Sequence, residues 1–180
     1  MSAGCCDVAE GVLVIREAGP SDVDALVELT LQVQRLHLAN EPERFVMPSR
    51  TALAAWWLER LSDPAWCALV AEIDGACAGY VLFELHRIER PATVLTAGQQ
   101  ALYLHHIGVD ESVRHRGIGR ALLQAVEQAA ADHGAQQVAL DTWSCNTTAQ
   151  AFFTACGYEP YRLRMRRRLP PRRDVEGACA

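Results

Sequence analysis

Apolar residues at Val23, Leu26, Val27, Leu31, Val33 and Leu36 recur at the spacing of one helical face and predict a helix to about residue 38. Ser21 is placed to cap it, with Asp24 three residues on as in a capping box. Ser49 opens a second helix through Trp56 and Trp57 to about residue 61, and Ser62-Asp63-Pro64 stops it. Shorter apolar runs predict strands at 12–16, 66–73 and 77–86, the last two joined into a hairpin by Asp74-Gly75. Further on come a strand at 101–109, a long helix from 118 to about 133 ending at Gly134, and a strand at 138–143. A helix at 147–156 closed by Gly157 and a last strand over 158–169 follow. Residues 1–11 read as a flexible N-terminal tail, 87–100 as a polar loop and 170–180 as a flexible C-terminal tail. One domain over 12–169 is expected.

Composition narrows the class. Half of the 180 residues are apolar, enough to bury an ordinary core. No apolar run approaches the ~18 residues that span a bilayer, so no membrane role is expected. The first seven residues lack the basic start and apolar block of a secretory leader. Seven cysteines, an odd number without metal-ligand spacing, suit reduced thiols in a cytoplasmic protein, and no metal site is expected. Residues 1–160 carry ten arginines against twenty acids, and 161–180 seven arginines against two acids. The basic block Arg162-Leu-Arg-Met-Arg-Arg-Arg168 alternates as a half-exposed edge strand does, so nucleic acid is not expected as a partner. An exposed last strand is compatible with a homodimer. All seventeen cationic side chains are arginine; with no lysine, Schiff-base chemistry is excluded.

The candidate chemistry sits after the strand at 101–109. Arg114-His-Arg-Gly-Ile-Gly-Arg120 is a basic, Gly-rich turn that opens onto the long helix. Gly117 and Gly119 let backbone approach a ligand, and the helix start offers unpaired N–H groups at the positive end of its dipole. Such a turn suits a diphosphate. A P-loop requires a lysine that the chain lacks. A dinucleotide-binding turn requires Gly or Ala where Leu122 stands; Asp141 falls about twenty residues on, but inside a predicted strand.

Arg-x-x-Gly-x-Gly directly after a strand resembles the acetyl-CoA-binding motif of the GNAT superfamily of N-acetyltransferases. Asn146-Thr-Thr-Ala149-Gln-Ala-Phe152-Phe153-Thr-Ala-Cys-Gly157-Tyr158 is similar to the second motif of that family. It stands about thirty residues later, behind one helix and one strand. The resemblance covers 102–169 in detail and 12–101 in outline. It implies an α/β fold with a twisted, mostly antiparallel mixed sheet and helices on both faces. In that fold the strands at 101–109 and 137–143 splay apart around the pantetheine arm.

The resemblance further implies transfer of acetyl from acetyl-CoA directly to a primary amine, on a small molecule or a protein N-terminus. Backbone from His115 through Arg116, Gly117, Ile118 and Gly119 to Arg120 would hold the diphosphate, with Arg114 supplying charge. The Val109 N–H would polarise the carbonyl, Ile107 and Gly108 would line the arm, and Asn146 would reach the pantetheine. Asn146 is equally suited to capping a helix. Histidines occupy the positions of Tyr103 and His105 in related arylalkylamine acetyltransferases, so His105 is the candidate base and Tyr103 its neighbour. Strict alternation sets 103, 105, 107 and 109 on one face and His106 on the other, in a structural role; a bulge would break this parity. Phe153 stands where the family often has a tyrosine acid. That departure keeps open a second reading, a CoA-binding sensor with weak or no catalysis. A third, weaker reading is a dinucleotide-binding protein. His37, Glu41, Glu43, Phe45, Trp56, Trp57 and Glu84 fall in the regions that choose a substrate.

Overall fold

The computed structural model describes residues 4–7, 11–90 and 99–168, which fall in two compact units, 1–147 and 148–180. In the first unit the order is β1 (Gly4–Asp7), β2 (Val12–Glu17), α1 (Val23–Asn40), α2 (Arg50–Ser62), β3 (Trp66–Ile73), β4 (Ala76–Arg90), β5 (Gln99–Val109), α3 (Ile118–Asp132) and β6 (Gln137–Leu140). The six strands lie in sequence order in one sheet. Neighbours from β1 to β5 are antiparallel, and β6 joins β5 in parallel.

Side-chain alternation along β4 sorts the core into two layers. Tyr80 and Leu82 face α1 and α2, packing with Val23, Leu26, Val27, Leu53, Trp57 and Val70. On the opposite face, α3 buries Ile118, Leu122, Leu123, Val126, Ala129 and Ala130. Helices therefore cover both faces, as expected.

The helix starts follow local chemistry. Ser49 caps α2, its hydroxyl accepting from the Ala52 N–H at 3.2 Å. Ser21 does not cap α1, because it lies inside a 3-10 turn, Pro20–Asp22. Asp22 is the anchor there. Its carboxylate accepts from the Gly19 N–H at 2.7 Å and receives both terminal nitrogens of Arg16 at 2.8 Å. Glu72 of β3 holds the other side of the same guanidinium. This arginine keeps the buried Asp22 carboxyl below the usual carboxylate range.

Several boundaries differ from expectation for one reason: strand pairing uses backbone groups, whatever the side chains. The tail expected over 1–11 contains β1, paired with β2. The polar loop expected over 87–100 is occupied at its ends by β4, to Arg90, and β5, from Gln99; 91–98 lie outside the described residues. β6 stops at Leu140, three residues short of the expected end.

α4 (Thr147–Ala155), which continues into the second unit from Thr148, is closed as expected by Gly157 at φ +92°, while the Tyr158 N–H bonds the Phe153 carbonyl at 3.0 Å. The strand expected over 158–169 is not formed at 158–168, and residue 169 lies outside the described residues. Leu163 and Met165 are 82% and 85% exposed, so the alternation finds no sheet to bury them. The tail expected over 170–180 also lies outside the described residues.

Gly108 faces Tyr80 in the β4–β5 ladder. A methyl group there would sit 2.6 Å from the Tyr80 ring and 3.0 Å from Val33. The ring is fully buried and braced by Trp57 at 5.3 Å, so it has no room to retreat. Gly108→Ala should lower the unfolding free energy by about 1–3 kcal/mol, read as a lower denaturant midpoint at unchanged slope.

Candidate active site

β5 outlasts its parallel neighbour. The ladder pairs Ala101–Leu104 with Gln137–Leu140 and ends there, while β5 continues to Val109. Past this point β5 has β4 on one edge and the gap left by β6 on the other. The Asp110 N–H bonds the Ala78 carbonyl of β4 at 2.9 Å. Successive N–H groups in a strand point to opposite edges, so the N–H and C=O of Val109 face the gap.

The turn after β5 is tightly held. Glu111–Val113 form a 3-10 turn in which Asp110 accepts from the Ser112 N–H at 2.9 Å. Gln32 of α1 pins it twice, donating to Asp110 at 3.0 Å and accepting from the Glu111 N–H at 3.1 Å. These bonds, Ser112 first, lower the Asp110 carboxyl further from its ordinary range. The chain then passes through the left-handed region twice, at His115 (φ +67°) and Gly117 (φ +82°). Gly117 adopts it freely, whereas a side-chain-bearing residue pays about 1–2 kcal/mol. The α3 ladder begins with the Ala121 N–H on the Gly117 carbonyl at 3.0 Å. The N–H groups ahead of it belong to the helix start, whose dipole is positive.

Arg116 and Arg120 lie exposed around that start. Arg114 is more constrained: its Nε donates to the Val109 carbonyl at 3.3 Å and its end group meets Glu111 at 3.5 Å. That places Arg114 at the same gap as the Val109 backbone. Ile107 pairs with Val81, and the absent side chain of Gly108 makes space for Tyr80.

The face of β5 toward α1 and α2 differs from the alternation expected. Leu82 pairs with His106 and Phe83 with Leu104, leaving His105 as the extra residue of a bulge. His105 keeps the face of Tyr103, their rings 4.8 Å apart. After the bulge the parity inverts. His106 joins the same face, and Ile107 turns to the α3 side with Val81. The expectation that His106 points away from His105 is therefore corrected. His106 Nδ1 is hydrogen-bonded to the Tyr80 hydroxyl, and its ring stands 6.5 Å from His37. Burial first, then the nearby His37 and His105, push the His106 pKa down to about 4, which keeps it neutral. Burial also lowers His37.

Partners from distant segments complete this face. His105 Nε2 lies 3.2 Å from Glu84 Oε2 and its ring 4.4 Å from Trp66. Tyr103 donates to Asp141 just beyond β6. His37 stacks on Phe45 at 4.9 Å, Phe45 meets Trp143 edge-on at 5.2 Å, and Arg44 lies over Trp143 at 4.6 Å. Trp66 reaches this face only through its cross-strand register with Glu84, and Asp141 and Trp143 lie past the end of β6, so sequence spacing does not point to their place here. Of the adjacent tryptophans, Trp57 is core and Trp56 half-buried.

Asn146 immediately precedes α4, half-buried, its N–H bonded to the Trp143 carbonyl at 2.9 Å. Phe153 lies in the second unit, buried beside the Phe152 and Tyr158 rings. Burial pushes the Cys67 thiol up to about 11 and raises Cys77 as well, so neither is primed as a nucleophile. No helix among the described residues is long and apolar enough to cross a membrane.

The family described as Acetyltransferase (GNAT) matches residues 30–158. N-acetyltransferase 8B of Homo sapiens is 30% identical over 152 residues, 83% of this chain and 64% of that protein. N-acetyltransferase 8 of Homo sapiens is 32% identical over 99 residues, 55% of this chain and 41% of that protein. The chain thus spans less than two thirds of these relatives. A mutant of the BH1408 protein from Bacillus halodurans superposes with a TM-score of 0.81 at 23% identity, covering 87% of this chain and 99% of that one. Aminoglycoside N-acetyltransferase AAC(6')-Iy in complex with CoA superposes at 0.68 with 22% identity, covering 92% and 96%. At these identities the structural likeness is one of fold.

Proposed function

The chain belongs to the acetyltransferase (GNAT) family, and from that premise we propose that it transfers acetyl from acetyl-CoA directly to a primary amine, on a small molecule or a protein N-terminus. One observation carries the reading. The basic turn through His115 and Gly117 presents the start of α3 beside the gap where β5 has outrun β6.

In this reading the N–H groups from His115 through Ile118 to Arg120 hold the diphosphate, and Arg114, Arg116 and Arg120 supply charge. The backbone of Ile107 and Gly108 lines the arm, and Asn146 reaches toward the pantetheine. The Val109 N–H, directed into the gap, receives the developing oxyanion. His105 takes the ammonium proton, with Tyr103 beside it; the freed amine attacks the thioester carbon, the C–N bond forms, the C–S bond breaks, and the second nitrogen proton passes to water as the amide forms. Phe153 has no proton to offer, so the CoA thiolate leaves without that acid. The site lies in one domain, proposed to run over 12–169, of a cytoplasmic protein.

Calorimetric titration with acetyl-CoA, with CoA and NAD as controls, tests the reading. Micromolar binding is expected, weakened about tenfold or more by Arg114→Ala or Gly119→Glu, since each charged contact contributes about 1.5–3 kcal/mol. Binding of NAD alone, or of nothing, overturns it. The missing hydroxyl at Phe153 favours a second reading, a CoA-binding sensor or interaction module. Such a module would bind acetyl-CoA equally well and consume none of it with any amine.

A further inference from the structure

The β4–β5 bulge leaves His105 leaning over two residues that face each other across neighbouring strands. Trp66 of β3 and Glu84 of β4 are paired in register, and Glu84 is paired in turn with Tyr103 of β5. Both touch the extra residue: the indole lies 4.4 Å from the imidazole, tilted by 44°, and the carboxylate oxygen lies 3.2 Å from Nε2. A carboxylate only accepts. A neutral imidazole bonded to it through Nε2 must therefore carry its single proton on that nitrogen, leaving the lone pair on Nδ1.

We propose that Glu84 and Trp66 are positioning residues for His105, the carboxylate selecting the Nε2–H tautomer and the indole fixing the ring plane, so that Nδ1 is the atom that accepts the substrate's proton. The inference rests on the acetyl-transfer reading and deepens it. The ammonium N–H proton moves to Nδ1 and the freed amine pair attacks the thioester carbon. The Nε2 proton stays on its nitrogen throughout; the second proton of the acylated nitrogen passes to water as the C–S bond breaks, and the imidazolium returns the acquired proton to water after the thiolate has left. Glu84 is the partner that stabilises this cation.

Other described groups around the ring include these. Arg60 of α2 also lies over Trp66, its guanidinium 5.2 Å from the indole centre, where its charge opposes protonation of His105. On β5, Tyr103 is engaged with Asp141, and His106 is neutral and bonded to Tyr80. Among the described residues Glu84 is a charge in hydrogen-bond contact with the ring, at 3.2 Å. Its side chain is about one third exposed, so it can be replaced without opening the core.

Nitrogen-15 NMR of histidine-labelled protein tests this without any substrate, the His105 signals being assigned by their loss in His105→Gln. The neutral His105 should be the Nε2–H tautomer. In Glu84→Gln its titration midpoint should move to lower pH and the tautomer preference should fall. Glu84→Asp should restore part of both, and Trp66→Phe should keep more of the preference than Trp66→Ala. With an amine that supports turnover, Glu84→Gln should lower kcat about tenfold, leave the acetyl-CoA KM unchanged and shift the acid limb with the NMR midpoint. An Nδ1–H tautomer in the unaltered protein, or the same midpoint in Glu84→Gln, overturns the proposal. His105→Gln at full activity would instead overturn His105 as the base, even with the NMR result as expected.

Discussion

Trp57→Ala should lower the unfolding free energy by about 3–5 kcal/mol, the range for deleting a fully buried aromatic ring. Trp57 has no exposed surface and lies where α1, α2 and the sheet meet. It contacts Trp56 and Tyr80 edge-on at 5.1 and 5.3 Å, and its Nε1–H donates to the Thr30 hydroxyl at 3.1 Å. Thr30 keeps its own donation to the Leu26 carbonyl at 2.6 Å, so the loss is mainly packing and cavity. Trp57→Phe separates the terms. It retains most of the ring and should cost about 1–3 kcal/mol, through the smaller volume and the lost donor. Equilibrium urea unfolding followed by far-ultraviolet circular dichroism reads both. Near-equal losses in the two variants would mean that the hydrogen bond, and not the ring, holds α2 to the sheet.

The Ala variant should also reach the site. Tyr80 stands between Trp57 and His106, fully buried, with burial raising its pKa so that the hydroxyl remains protonated. Removing the brace behind Tyr80 loosens the residue that anchors His106, on the face shared with His105 and Tyr103. Stability and site geometry are coupled through this ring.

What could be read from the chain, and what could not, divides by range. The spacing of Val23, Leu26 and Val27, and the glycines at 117 and 157, report local backbone geometry, and α1, the turn before α3 and the end of α4 form accordingly. The bulge at His105 is different. It arises from the register of β5 against β4, a comparison between segments twenty residues apart, and nothing in Tyr103-Leu-His-His-Ile107 announces it. One inserted residue was enough to bring His106 onto the face it was expected to leave. The two carboxylate partners follow the same rule, Glu84 being 21 residues from His105 and Asp141 being 38 from Tyr103. The segment at 158–168 errs in the opposite sense. Its alternation of arginine with Leu163 and Met165 is a strand pattern, but a pattern becomes a strand only where a neighbouring strand accepts its backbone groups.

His105→Gln should lower kcat by about 10²–10⁴-fold, the usual contribution of a positioned general base. Glutamine retains the size and polarity of the side chain but accepts no proton at neutral pH. Acetyl-CoA affinity should hold, because the proposed diphosphate cradle begins beyond Val109 and does not include His105. The pH dependence carries the sign. Only neutral imidazole accepts a proton, so the rate should rise with pH across the range in which His105 loses its proton. His106, with its pKa pushed down to about 4, stays neutral across that range and cannot produce the limb. Loss of the limb together with the fall in kcat, measured as acetyl-CoA consumption with a primary amine in excess, identifies His105 as the base. A limb that survives in His105→Gln would move the assignment to another group, and Tyr103 with its partner Asp141 would be next to test, since they share the face and lie two residues away on the same strand.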